Sequence, residues 1–107
     1  MNVLHRIPYK DEKMGNRVIV DEKHIMIMQI ALKSGQIVPQ HNANSNLHLL
    51  ILYGDVTVNL NNIDTNVKEG DLIPVQYKTS MMIKNTGAGD ATFLVLKTPN
   101  PGEMAKE

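Results

Sequence analysis

The chain has 107 residues, enough for one domain burying roughly 60–70% of its unfolded surface and too few for two useful cores. It contains 0 cysteines, which excludes disulfides, thiolate metal sites and a cysteine nucleophile and leaves His, Asp and Glu as the strong metal ligands. Lys+Arg 11 balances Asp+Glu 11, so no positive face for nucleic acid is expected, and one Phe with three Tyr makes stacking platforms scarce.

In chain order, the opening MNVLHRIPYK lacks the apolar run of a signal peptide, and no later window approaches a membrane span. A cytoplasmic protein without a membrane partner is expected, with residues 1–16 as an N-terminal arm. Arg17–Glu22 reads as a short strand. HIMIMQIALKSG, from His24, is a longer one with apolar residues on both faces, so both its sides should be covered. Leu47–Asn62 reads as two strands about the turn Tyr53-Gly54-Asp55, and in the second Val56, Val58 and Leu60 face one way. Asn61-Asn62 turns the chain into Ile63–Val67, because asparagine tolerates left-handed backbone.

After Gly70 come LIPV, TSMMIKN, the flexible turn TGAGD and a last strand, ATFLVLK. Two prolines take TPNPGEMAKE out of the sheet as an arm or short helix, so the core spans about 17–98 and the tail 99–107. No segment keeps a 3.6-residue pattern beyond about two turns. Eight or more short strands in one small domain predict an all-β barrel or sandwich.

Two segments carry a family resemblance. Gly35, five residues, His41 and a closing Gly54 followed by DVTV resemble the first motif of the cupin superfamily, the small jelly-roll β-barrels. GDLIPVQYKTSMMIKNTG, Gly70 to Gly87, is similar in length and at both ends to the second. The resemblance implies a single-domain cupin barrel with a cavity, a fold used by isomerases, dioxygenases, decarboxylases and sensor modules alike. Cupin metal ligands are usually three His and one Glu. On this frame they fall on His41, Ala43, Leu47 and Met81, and the usual P-x-G reads Gln76-Tyr77-Lys78. The resemblance therefore implies a degenerate metal motif.

Pleat alternation agrees with this register. Lys84 in water puts Met82 outward and Met81, Ile83 and Asn85 inward. Leu47 inward carries Leu49 and Ile51 with it and turns His48, Leu50 and Leu52 outward. The outward apolar pair predicts cover by another strand layer or a second subunit, hence a homodimer.

The candidate ligand-binding residues are His41 at the mouth, Gln76 and Tyr77 as polar contacts, and Met81, Leu47 and Ala43 on the wall. His41 either contacts ligand or pairs with neighbours such as Gln76, Tyr77 and Thr79, since a buried polar group without a partner costs roughly 2–7 kcal/mol. Gln29, a polar insertion in IMIMQIAL, either touches ligand or satisfies backbone at an edge. Met26, Met28, Met81 and Met82 either fill core or line an adaptable cavity.

The reading these support is a small cupin-like barrel that binds a small molecule, with no cofactor expected. In a second reading, a metal-dependent cupin enzyme uses His41 and His48 on a divalent ion. His48 would then be swung inward by a bulge near Asn44–Asn46. A mixed His/Met copper site at His41 and Met81 is a variant of it. In a third, the protein is a purely structural or protein-interaction barrel whose interior is filled by side chains, with no open cavity.

Overall fold

The computed structural model describes residues 1–104; the last three residues of the expected tail, 105–107, lie outside the described residues. Nine strands follow one another: β1 Gly15–Glu22, β2 Ile25–Leu32, β3 Ile37–Asn42, β4 Asn46–Tyr53, β5 Asp55–Leu60, β6 Ile63–Lys68, β7 Leu72–Val75, β8 Ser80–Lys84 and β9 Ala91–Thr98. A single helical turn, α1 Pro101–Met104, ends the described chain. All strand pairs are antiparallel, in a five-stranded sheet ordered β1-β2-β9-β4-β7 and a four-stranded sheet ordered β3-β8-β5-β6.

Alternation decides which side chains the sheets share. Along β4, Leu47, Leu49 and Ile51 are buried, His48 is exposed, and Leu50 and Leu52 are half-buried on the opposite face. β8 buries Met81 and Ile83 and leaves Lys84 in water. With Val56 and Val58 of β5 and Phe93 of β9, the largest fully buried side chain, these residues form one core between the sheets.

Strand β3 departs from the sequence reading, which placed no strand over Ile37–Asn42. Pro39 hides it, because proline cannot donate to a ladder. The strand survives as a sheet edge, and its register slips: Val38 pairs with Ile83 and His41 with Met81, so Pro39 and Gln40 together oppose the single Met82. Pro74 likewise sits on the edge strand β7.

The N-terminal segment is pinned across the outer face of the five-stranded sheet. The Gln29 amide is fully buried there; it donates to the Val3 carbonyl (2.8 Å) and Thr92 Oγ1 (3.0 Å) and accepts from Arg17 Nε (2.8 Å). Thr92 Oγ1 donates onward to the Ile30 carbonyl, and the Arg17 guanidinium donates to the carbonyls of Val3, His5 and Arg6. Every polar atom of this buried cluster is thereby satisfied.

Two of the turns with left-handed backbone bear on the stability of the barrel. Gly54, between β4 and β5, has φ +87°, and a Cβ there would lie 2.5 Å from the Asp90 carbonyl oxygen. Gln76–Thr79 forms a β-turn closed by Thr79 N donating to the Gln76 carbonyl, with Lys78 at φ 72°. That position takes glycine most easily, because a side chain there costs roughly 1–2 kcal/mol.

Gly54→Ala is therefore expected to cost about 2–5 kcal/mol in denaturant unfolding, from left-handed strain and overpacking together. Lys78→Gly is expected to stabilise by about 0.5–1 kcal/mol, the relieved strain exceeding the extra unfolded-state freedom of glycine. A thermal melt in which the Lys78→Gly protein unfolds earlier would contradict this account of the turn.

Candidate functional site

Between the two sheets the core does not close completely. A cavity of about 340 Å3 opens beside the edge strand β3. Its wall is apolar: Met28 and Ile30 from β2, Leu47 from β4, Met81 and Ile83 from β8, and Phe93 and Val95 from β9, with Met14 entering from the segment before β1. The interior is therefore not filled by side chains, against the third reading of the sequence.

Among the described residues, three polar side chains reach the lining: Gln40, His41 and Lys97. Gln40 is already committed at the rim, its amide donating to Ser80 Oγ at 2.8 Å. His41 owes its inward aim to the bulge in β3. In an unbroken strand Val38 inward would turn His41 outward; the extra residue restores it to the face of its partner Met81. Its Nδ1 lies 2.9 Å from the Pro39 carbonyl, which can only accept, so Nδ1 carries a proton and Nε2 takes no part in that contact; the ring is exposed at the cavity rim. The expected partners Gln76, Tyr77 and Thr79 do not supply this contact.

Lys97 escaped the sequence reading. It follows Phe93 and Val95 at spacing two on β9, so it shares their inner face, half-buried between its register partners Met26 and Leu47. Burial pushes its amine below the usual lysine range. The available signal was the parity of ATFLVLK, which the terminal position of Lys97 in the strand masked.

The structure brings His41, Leu47 and Met81 together on the cavity wall and leaves the other expected residues elsewhere. Gln76 and Tyr77 stand on the exposed turn before β8, where the Tyr77 ring lies under Lys78 Nζ, 5.2 Å from its centroid, and Tyr77 N donates to Asn46 Oδ1. Ala43 is buried in the core next to that turn, its backbone bonded to Lys78 and Thr79. Gln29 has the opposite parity to Met28 and Ile30 and faces the outer surface under the N-terminal segment, which corrects its placement at the cavity. It satisfies backbone there instead.

His41 and His48 do not converge. β4 pairs with β9 in unbroken register from Asn46 through Ile51, so no bulge swings His48 inward, and it stays on the exposed outer face. Among the described residues no group of three or more His, Asp or Glu side chains comes together. At the positions where the cupin frame puts ligands, Ala43, Leu47 and Met81 are 2%, 2% and 3% exposed. Two of them have no donor atom and the third offers only a soft thioether. With one imidazole, this set does not fit a tightly held divalent cation, which normally takes at least three protein ligands.

No helix among the described residues is long and apolar enough to cross a membrane. Comparison with known proteins found no family model that matches. The chain is 33% identical over 87 residues to the uncharacterized protein MJ0764 of Methanocaldococcus jannaschii, covering 80% of this chain and 75% of that one. The crystal structure of that RmlC-like cupin, a double-stranded β-helix, superposes with a TM-score of 0.78 over 91% of this chain and 92% of its own. An uncharacterized conserved protein with a double-stranded β-helix domain from Klebsiella pneumoniae shares only 16% identity yet superposes with a TM-score of 0.86, over 94% of this chain and 89% of that one. A fold shared at that identity speaks for architecture alone. The two sheets, the spacing of both motifs and the relative from Methanocaldococcus jannaschii agree: the chain belongs to the cupin superfamily.

Proposed function

We propose that the protein binds a small apolar or amphipathic molecule in the barrel cavity, as a homodimer and without a tightly held metal. The observation that carries the reading is the open, largely apolar space of about 340 Å3, lined by His41 and by the Lys97 amine, for which the described residues supply no ion-pair partner. Small-molecule sites commonly have this make-up, with apolar walls and a few placed polar atoms, at about 300–1,000 Å3. Methionines Met14, Met28 and Met81 suit such a wall, because their unbranched chains re-pack around ligands of differing shape.

The homodimer rests on the outer face of the five-stranded sheet. There Leu94 pairs with Leu50, Leu50 with Leu72, and Leu96 with His48. The leucines Leu50, Leu52, Leu94 and Leu96 are half-buried and Leu72 is 60% exposed. An apolar patch of this kind suits a two-fold contact.

Three measurements check the reading. With carbon-13 labelled methionine methyls, the neutral probe 1-octanol is expected to shift the Met14, Met28 and Met81 signals. Val95→Phe, which fills the space, is expected to abolish those shifts. Elemental analysis of protein grown with zinc, iron, manganese, nickel and copper is expected to find well under one ion per chain. About one ion per chain, lost in His41→Ala, would favour the metal-dependent enzyme. Light scattering after size exclusion is expected to give about 24 kDa, twice the chain's 12.0 kDa, and Leu50→Glu to halve it. A 12.0 kDa species of the unaltered protein at micromolar concentration would remove the dimer.

A further inference from the structure

The two charged groups that the fold treats best show what is unusual about Lys97. Arg17, on the outer face, is saturated by three backbone carbonyls and the Gln29 amide oxygen. Lys33 at the barrel's other end pairs with Asp11 at 2.5 Å. Lys97 has neither arrangement. Among the described residues the ion pairs are Lys33–Asp11 and His24–Glu22, and the cavity lining contains no carboxylate at all. Its register partners on both sides, Met26 and Leu47, are apolar.

A half-buried ammonium beside an apolar wall is short of a counter-ion, and the bound molecule is the natural source of one. We propose that the cavity takes a small amphipathic anion, a monocarboxylate with a compact or unbranched apolar body, whose carboxylate pairs with the Lys97 amine. This rests on the cavity-binding reading above and names its ligand class. The body lies against Met14, Met28, Met81 and Phe93. At the roughly 30 Å3 a water-sized group occupies, the space holds on the order of ten non-hydrogen atoms, the size of a medium-chain fatty acid. The lowered proton affinity of the amine agrees with this geometry, its cause being burial.

Discrimination against other amphipaths follows from the same contact. An alkylamine of equal length brings a second positive charge to Lys97 and is rejected, whereas a neutral alcohol fits the wall without gaining the ion pair.

Isothermal titration of the whole protein with octanoate, 1-octanol and octylamine tests the inference. Octanoate is expected to bind at least tenfold more tightly than 1-octanol, and octylamine more weakly than either. Lys97→Met is expected to bring octanoate affinity down to that of 1-octanol in the same variant, with a cooperative thermal unfolding transition showing that the variant is folded. Lys97→Arg, which keeps the charge, is expected to retain most of the advantage. Equal binding of octanoate and 1-octanol by the unaltered protein, or an octanoate affinity unmoved by Lys97→Met, overturns the anion inference and leaves the cavity reading standing. Failure of both octanoate and 1-octanol to bind overturns the two together.

Discussion

The pleat of the strands governs this molecule. Two sheets share one apolar interior, so each strand must send alternate side chains inward, and a slip of one residue would exchange the faces wholesale. In β4 such a slip would move Leu47, Leu49 and Ile51 into water and drive His48 inward. The burial of that leucine and isoleucine row therefore holds His48 outside, and with it any prospect of two imidazoles meeting. Fixing the register against Phe93 and Val95 of β9 also sets Lys97 on the inner face.

One place breaks the alternation, and the break matters chemically. The bulge of Pro39 and Gln40 against Met82 turns His41 to the face of Met81, where its exposed ring stands at the cavity rim. Bulges on edge strands commonly re-aim a side chain in this way. Pro39 contributes twice, once by ending the ladder locally and once through the carbonyl that holds His41 Nδ1. The imidazole is thus held, with Nδ1 protonated, at the rim of a space whose wall at Leu47 and Met81 is apolar.

Buried polarity is handled in two opposite styles. On the outer face, Gln29, Thr92 and Arg17 form a closed network with the carbonyls of Val3, His5 and Arg6, which holds the N-terminal segment against the sheet. Inside, Asn85 donates to the carbonyls of Leu32 and Gly89 and accepts from Gly87 N, tying β2 to the loop before β9. These groups stabilise because no donor or acceptor is left over. At the cavity, Lys97 and His41 Nε2 have no such partners among the described residues, and the difference separates scaffold from candidate site.

The resemblance to cupins was legible in Gly35, His41, Gly54 and the Gly70–Gly87 frame, and the structure and the relative from Methanocaldococcus jannaschii agree with it. Eight of nine strands could be read from alternation and turn residues because those signals are local: period two, Asn61-Asn62, Gly54 and Gly70. β3 could not, because an edge strand tolerates a proline and a bulge that locally argue against any strand. The same locality explains the site. Parity along single strands sufficed for Leu47, Met81 and the outward His48. Whether Gln29 met ligand or backbone depended on a segment some 26 residues away folding across the outer face. That Gln76 and Tyr77 lie off the cavity, and that Lys97 lines it without a counter-ion among the described residues, depended on how two sheets close around a space. Sequence alone determined the faces of the strands; only the packing of one sheet on the other decided which of those faces surround a cavity, since a cavity is a property of surfaces far apart in the chain.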